Sequence, residues 1–280
     1  MGRARVGAPS PSLTPALSFP QLYRCPVEKP SGNDEHFSQS REDVWLFDKI
    51  FSKDASLSNG TFVEIGALDG RTYSNTLYFE QKWDWRGLLI EGTPSNQQHL
   101  RATSRKNVAV FTAGVCKGNP GLLSFTAGGG AVGTSKEFSS PEFLRRWHGG
   151  ENAATVQSVC VPLQLMLDAT GVLDVDLFSL DVEGAELAVL ETIDWAITNI
   201  RVVVVELDGD NLEKDQRVRN LLLGNGFEDA RGRYGSIRDA CVPGGDCTTN
   251  EVFINPSFHA RRRPRGSRYV FGTGLPCAPA

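Results

Sequence analysis

Thr61-Phe62-Val63-Glu64-Ile65-Gly66-Ala67-Leu68-Asp69-Gly70 is the stretch that decides how the rest of the chain is read. Four of its first five residues are β-branched or aromatic, and they stop at a glycine, the pattern of a short buried strand entering a tight turn. After a polar turn, Ser74 to Trp83 carries apolar residues at amphipathic-helix spacing, so strand, loop and helix follow in order. The same unit recurs outward from it. Gly87–Ile90 precedes a helical segment from Ser95 to Thr103, and Val108–Phe111 precedes a loop. Asp176–Leu180 is followed by Ala185 to Thr192, and Val202–Val205 by Leu212 to Leu223, with Glu251–Ile254 as the last strand. Upstream, Ser40-Arg41-Glu42-Asp43 has capping-box spacing with Asp in place of the usual Glu, and it predicts a helix over 41–53. Short, almost continuous apolar strands alternating with helices predict an α/β fold, a Rossmann-like doubly wound parallel sheet covered on both faces.

The chain has 280 residues, 40% of them hydrophobic and 22% charged, which supports a sizeable core and excludes a disordered or fibrous protein. Lys and Arg total 29 against 33 Asp and Glu, a net charge of -4, so no global positive field would hold a nucleic-acid backbone. No window reaches the roughly 18 consecutive apolar residues of a membrane span. Residues 1–35 are Pro-rich and read as irregular; they are poor in acids, a composition compatible with an organellar transit peptide, and a cytoplasmic location is otherwise expected. The main domain is placed at 36–256. Residues 114–160, with Gly128-Gly129-Gly130 and Gly149-Gly150, read as a mobile loop or small insertion, and the Arg-rich 257–280 as a solvated tail. The six cysteines lack CxxC pairs, and only Cys241 and Cys247 are close enough in sequence to suggest a local bridge, which would require an oxidising compartment.

In an open α/β sheet, ligands bind beyond the carboxyl ends of the strands where strand order reverses. There the first strand offers Glu64, Gly66, Asp69 and Gly70, and the second ends at Glu91, an acid able to accept two hydrogen bonds from ribose hydroxyls. The glycines form GxxxG rather than GxGxxG. A carboxylate such as Asp69 about 4 Å from a pyrophosphate would repel it by about 4 kcal/mol at an effective dielectric of 20. The same acids suit S-adenosylmethionine, which has a sulfonium, an ammonium and a ribose but no phosphate. A nucleotide-dependent oxidoreductase is correspondingly disfavoured. The fourth strand ends at Asp181-Val182-Glu183, two acids on one side of an extended chain at the carboxyl edge of the sheet.

Phe62–Gly70, Leu89-Ile90-Glu91-Gly92-Thr93-Pro94 and Ser179–Glu186, in that order and spacing, resemble the FkbM-like family of S-adenosylmethionine-dependent methyltransferases. Ser38–Asp43 resembles the segment that often precedes the family's first strand. The resemblance covers about residues 37–255. It implies a class I methyltransferase fold with a mostly parallel seven-stranded sheet and one antiparallel strand, and transfer to oxygen in many members. It places Gly66, Asp69 and Gly70 around the methionine part, Glu91 on the ribose, Val115 and Cys116 near adenine, and Asp181 and Glu183 at the reaction cleft. Many members have Glu-Pro where this chain has Glu91-Gly92-Thr93-Pro94.

The expected activity is methylation of a hydroxyl on a small-molecule, sugar or lipid-like acceptor. Asp181 or Glu183 is the first candidate base and His148 the second. Phe138, Phe143 and Trp147 offer an aromatic platform. No metal is assigned, although Asp181 or Glu183 with Glu206 or Asp208 would form an oxygen-rich set suited to Mg²⁺. The rival from another class is a non-catalytic binding or trafficking module that keeps the fold.

Overall fold

The computed structural model describes residues 36–53, 58–240 and 247–258. The Pro-rich segment 1–35, nearly all of the Arg-rich tail, and Cys25, Cys241 and Cys277 lie outside the described residues. The expected first helix forms as α1 (Glu42–Leu46), continued by a π-helical turn over Phe47–Phe51 rather than a regular helix. Its capping differs from the expectation. Asp43 and Ser38, not Ser40, exchange bonds, with Asp43 N donating to Ser38 Oγ at 3.2 Å and Ser38 Oγ donating to Asp43 Oδ1 at 2.7 Å. Glu42 instead accepts from Ser40 N.

The chain then runs β1 (Thr61–Ile65), α2 (Leu77–Trp83), β2 (Arg86–Ile90), α3 (Pro94–Arg101) and β3 (Val108–Phe111). The insertion follows as β4 (Gly121–Thr126), α4 (Pro141–His148) and β5 (Thr155–Cys160). The second half is α5 (Leu163–Thr170), β6 (Asp174–Leu180), α6 (Glu186–Leu190), β7 (Asn199–Glu206), α7 (Leu212–Gly224), β8 (Glu228–Asp229), α8 (Arg231–Tyr234) and β9 (Asn250–Ile254). Seven strands form one sheet in the order β3-β2-β1-β6-β7-β9-β8. The first five run parallel, while β9 is antiparallel to both β7 and β8. The mostly parallel order with a single reversed strand is the sheet that the resemblance implies.

Alternation along each strand covers both faces. Val63, Leu88, Phe178 and Val203 point into the core beneath α5, α6 and α7, while Phe62, Leu89, Leu177 and Val202 pack with Leu46, Phe51, Phe79 and Trp85 on the other face. Burial on both sides explains why the strands read as near-continuous apolar runs.

Residues 114–160 are not a bare loop. β4 and β5 pair as an antiparallel hairpin, and Gly114 is tied to its base, its N–H donating to the Val159 carbonyl at 2.8 Å and its carbonyl accepting from Val161 N at 3.0 Å. A disulfide between Cys116 and Cys160 joins the loop after β3 to the end of β5. Cys247 is also disulfide-bonded. The Cys116–Cys160 bridge closes a span of 44 residues, so Cys116→Ser with Cys160→Ser lowers folding stability by about 2–4 kcal/mol. Urea denaturation checks this, and an unchanged midpoint contradicts it.

Candidate active site

Strand order reverses between β1 and β6, and a cavity of ≈ 350 Å³ opens at the carboxyl ends there. The turn after β1 brings the backbone of the two strands close together. Gly66 has φ 84°, and a Cβ on it would lie 1.7 Å from the Asp181 carbonyl oxygen. Asp69 ties this turn from inside: its Oδ1 accepts from Arg71 N and Thr72 N, each at 2.7 Å, and its Oδ2 from Thr72 Oγ1. Burial pushes the Asp69 carboxyl up, but these bonds outweigh it and hold it below the ordinary carboxylate range. Gly70 packs towards Thr103 and Leu100 of the α3 region. Asp69 and Gly70, placed by the sequence around the cofactor, are therefore outside the cavity lining; they shape the turn that presents Gly66 and Leu68 to it.

Glu91 lines the cavity at 5% exposure. Its Oε2 accepts from Leu68 N at 2.9 Å and its Oε1 from Thr93 N at 2.6 Å, which aims the carboxylate and leaves each oxygen a further lone pair. Burial raises its pKa despite those two bonds. Glu64, also in the lining, is already occupied. Ser74 Oγ, Asn75 N, Thr76 Oγ1 and the buried Arg105 guanidinium all donate to it, so it braces the floor of the cavity.

Beyond β2 and β3 the walls are Gly92, Ala113, Gly114 and Val115. The sequence placed Cys116 here as well, but its sulfur is committed to Cys160 and the residue is not in the lining. What the sequence missed is Phe125 of β4, whose ring lies so close to Gly92 that a Cβ there would meet it at 2.3 Å. The departure from Glu-Pro at Gly92 was the available signal. That residue has no side chain because the hairpin fills the space.

Beyond β6 and β7, Asp181, Glu183 and Glu206 each place a carboxylate oxygen within 4.8 Å of the others. Glu183 sits at φ 54°, its carbonyl accepting from Thr134 Oγ1 at 2.8 Å, and Gly184 follows at φ 113° against the Phe138 carbonyl. All three acids are half-buried, and the cavity is what they face. Burial, then the neighbouring Glu183 charge, pushes Asp181 up to about 8, against a hydrogen bond from Glu206 that favours its ionised form. Burial and Glu206 push Glu183 up to about 9. Burial and Asp181 raise Glu206 well above its ordinary value, while Thr249 Oγ1 donates to it at 3.0 Å. A proton held on Glu206 favours the ionised form of Asp181. These three residues could also take a divalent cation, being an all-oxygen set of hard ligands.

The insertion supplies the remaining wall. Phe143 is buried in it, Trp147 is 52% exposed, and Tyr73 from the β1 side is 50% exposed. Phe138 packs instead against the Cys116, Leu123, Phe125 and Cys160 cluster. His148 is not in the lining, because its Nε2 is bonded to the Val132 carbonyl at 2.8 Å.

Six carboxyl groups line the cavity (Glu64, Glu91, Asp181, Glu183, Glu206 and Asp208), against one cation, Arg146. That set fits the sulfonium, ammonium and ribose of S-adenosylmethionine and opposes a pyrophosphate. Among the described residues no helix is long and apolar enough to cross a membrane. No curated protein matches the chain in sequence. A solved structure of precorrin-6y C5,15-methyltransferase from Geobacter metallireducens GS-15 is similar at 11% identity and TM-score 0.34, covering 81% of this chain and 92% of that one; at that score it carries no argument. The family model described as Methyltransferase FkbM domain matches residues 64–229, from Glu64 in β1 to the end of β8, which is more than half of the chain. With the sheet order and the acid-lined cavity this makes S-adenosylmethionine the methyl donor, and the chain belongs to the FkbM methyltransferase family.

Proposed function

We propose that the protein methylates a hydroxyl oxygen on a small-molecule acceptor, with Asp181 taking the hydroxyl proton. The observation that carries this is the Asp181–Glu183–Glu206 cluster, which faces the cavity with no ion-paired Lys, Arg or His among the described residues. When bound, the donor supplies a methyl carbon on a positively charged sulfur, open to in-line displacement. The chain's part is placement and proton handling. Gly66 and Leu68 hold the methionine part, Glu91 accepts from the ribose hydroxyls, and Gly92, Gly114, Val115 and Phe125 form the slot for adenine.

A hydroxyl is a poor nucleophile until its proton is accepted as the new O–C bond forms, and a base with a pKa near the working pH is best suited to that. Asp181 has this property, and Glu206 orients it through the shared proton. An amine would be held by these acids as an ammonium, with no lone pair to attack. Glu183 lies beside the pair and lines the same cavity. The Cys116–Cys160 disulfide further supports maturation in an oxidising compartment, against the cytoplasmic expectation.

Transfer from S-adenosyl-[methyl-¹⁴C]methionine to a panel of hydroxylated acceptors tests the reading. The label is expected in an alkali-stable ether, and a base-labile ester or an N-methyl product would overturn it. Because the base must be unprotonated, kcat/KM is expected to climb with pH and level off above about 8. The positive charge of bound donor moves this limb lower for the loaded enzyme. EDTA is expected to leave the rate unchanged, since the proposed step uses the Asp181 carboxylate as its base and no cation.

A further inference from the structure

We infer that the acceptor is a neutral carbohydrate, a pyranose ring whose C–H face rests on Trp147 and whose hydroxyls meet the carboxyl cluster. The inference rests on the methyl-transfer reading of the same cavity. Trp147 is a half-exposed indole on α4, a helix anchored on several sides. Ser140 Oγ caps this helix on Phe143 N at 3.0 Å, Phe143 is buried beneath it, and Gly149 closes it at φ 75°. His148 binds it to the Val132 carbonyl, and Arg146 pairs with Asp210 at 2.8 Å, which sets α4 beside the loop that carries Asp208. The helix that carries the indole is therefore anchored at the cavity wall. Tyr73 adds a second exposed ring to the lining, from a backbone at φ 60°.

Aromatic faces carry partial negative charge and attract the polarised C–H groups of a sugar ring, while their apolar area is covered. Beside the rings and the apolar Val132 and Val182, the lining offers Asp181, Glu183, Glu206, Asp208, Thr249 and Gln39. Each can accept or, where protonated, donate to a hydroxyl, so a ring with hydroxyls on its edge and C–H groups on its face satisfies both kinds of surface. Other acceptor classes fail on the same residues. An alkyl chain would desolvate the carboxyl groups without replacing their hydrogen bonds. A phosphorylated or carboxylated acceptor would enter a cavity with six acids and one guanidinium, the latter already on Asp210.

The test uses the full chain with its disulfides formed and loaded with S-adenosylhomocysteine. Methyl α-pyranosides of the gluco, galacto, manno, fuco and xylo series are the probes, with cyclohexanol as a ring lacking the hydroxyl pattern. Binding is read by saturation-transfer NMR and tryptophan fluorescence. At least one pyranoside is expected to bind, and Trp147→Ala to weaken it by about tenfold. Trp147→Phe is expected to restore most of the loss, and S-adenosylhomocysteine affinity to be equal in all three proteins. S-adenosylhomocysteine binding without pyranoside binding, or pyranoside binding indifferent to Trp147→Ala, overturns the acceptor class alone. Failure to bind S-adenosylhomocysteine overturns the methyl-transfer reading and the acceptor with it.

Discussion

Asp181→Asn is expected to lower kcat for methyl transfer by about 10²–10⁴-fold while the protein still binds its donor. The substitution keeps the shape of the side chain and an oxygen that can accept from Glu206, but it removes the group that takes the acceptor's proton. Asp181 is the member of the cluster best fixed for this work. Its backbone N–H is bonded to the Ile65 carbonyl at 3.1 Å, which locks the end of β6 to the end of β1. Its carboxyl is met by the Glu206 proton, which favours the ionised form even as burial opposes it. Glu183→Gln is expected to act more weakly, since Glu183 sits beside the pair and is not the group that takes the proton. Single-turnover rates, measured alongside donor affinity by calorimetry, separate the two effects. A kcat close to that of the unaltered enzyme would place the base elsewhere.

Gly66→Ala is expected to destabilise the fold by about 3–5 kcal/mol, from the sum of a strained positive φ and a backbone clash, and to abolish donor binding. The added methyl would stand 1.7 Å from the Asp181 carbonyl oxygen, and neither partner is a side chain that can turn away. Relief requires β1 and β6 to part at the place where the cavity opens. Gly209→Ala is the control. Gly209 has a comparable φ of 86°, but nothing lies within 4 Å of its added Cβ, so only the conformational cost of about 1 kcal/mol remains. Urea denaturation of the two variants distinguishes clash from strain. Equal costs in both would show that the close approach of the strands does not matter.

The sheet was legible because β1, β2, β3, β6, β7 and β9 are largely buried on both faces and so form near-continuous apolar runs. β8 was missed because two residues carry no pattern. The β4–β5 hairpin was missed for a different reason: β5 exposes four of its six residues, and Gly128–Gly130 between the strands reads as loop. Glu91, Asp181 and Glu183 were legible as acids at strand ends. Glu206 entered only as a candidate metal ligand, because its pairing with Asp181 depends on two strands becoming neighbours. That Asp69 binds its own turn was not legible, because a carboxylate in a glycine turn looks the same in sequence whether it faces a ligand or its own backbone. The Cys116–Cys160 pair could not be read, since spacing alone does not fix connectivity.

The most direct measurement is a calorimetric titration of the full chain with S-adenosylmethionine, beside Glu91→Ala and with NADH as the comparison ligand. The unaltered protein should bind S-adenosylmethionine and show no heat with NADH. Glu91→Ala should weaken the affinity by about 100-fold, because it removes a ribose acceptor and leaves the Leu68 and Thr93 N–H groups without partners. A folded protein that gives no heat with S-adenosylmethionine, or binds it equally well without Glu91, would contradict the account.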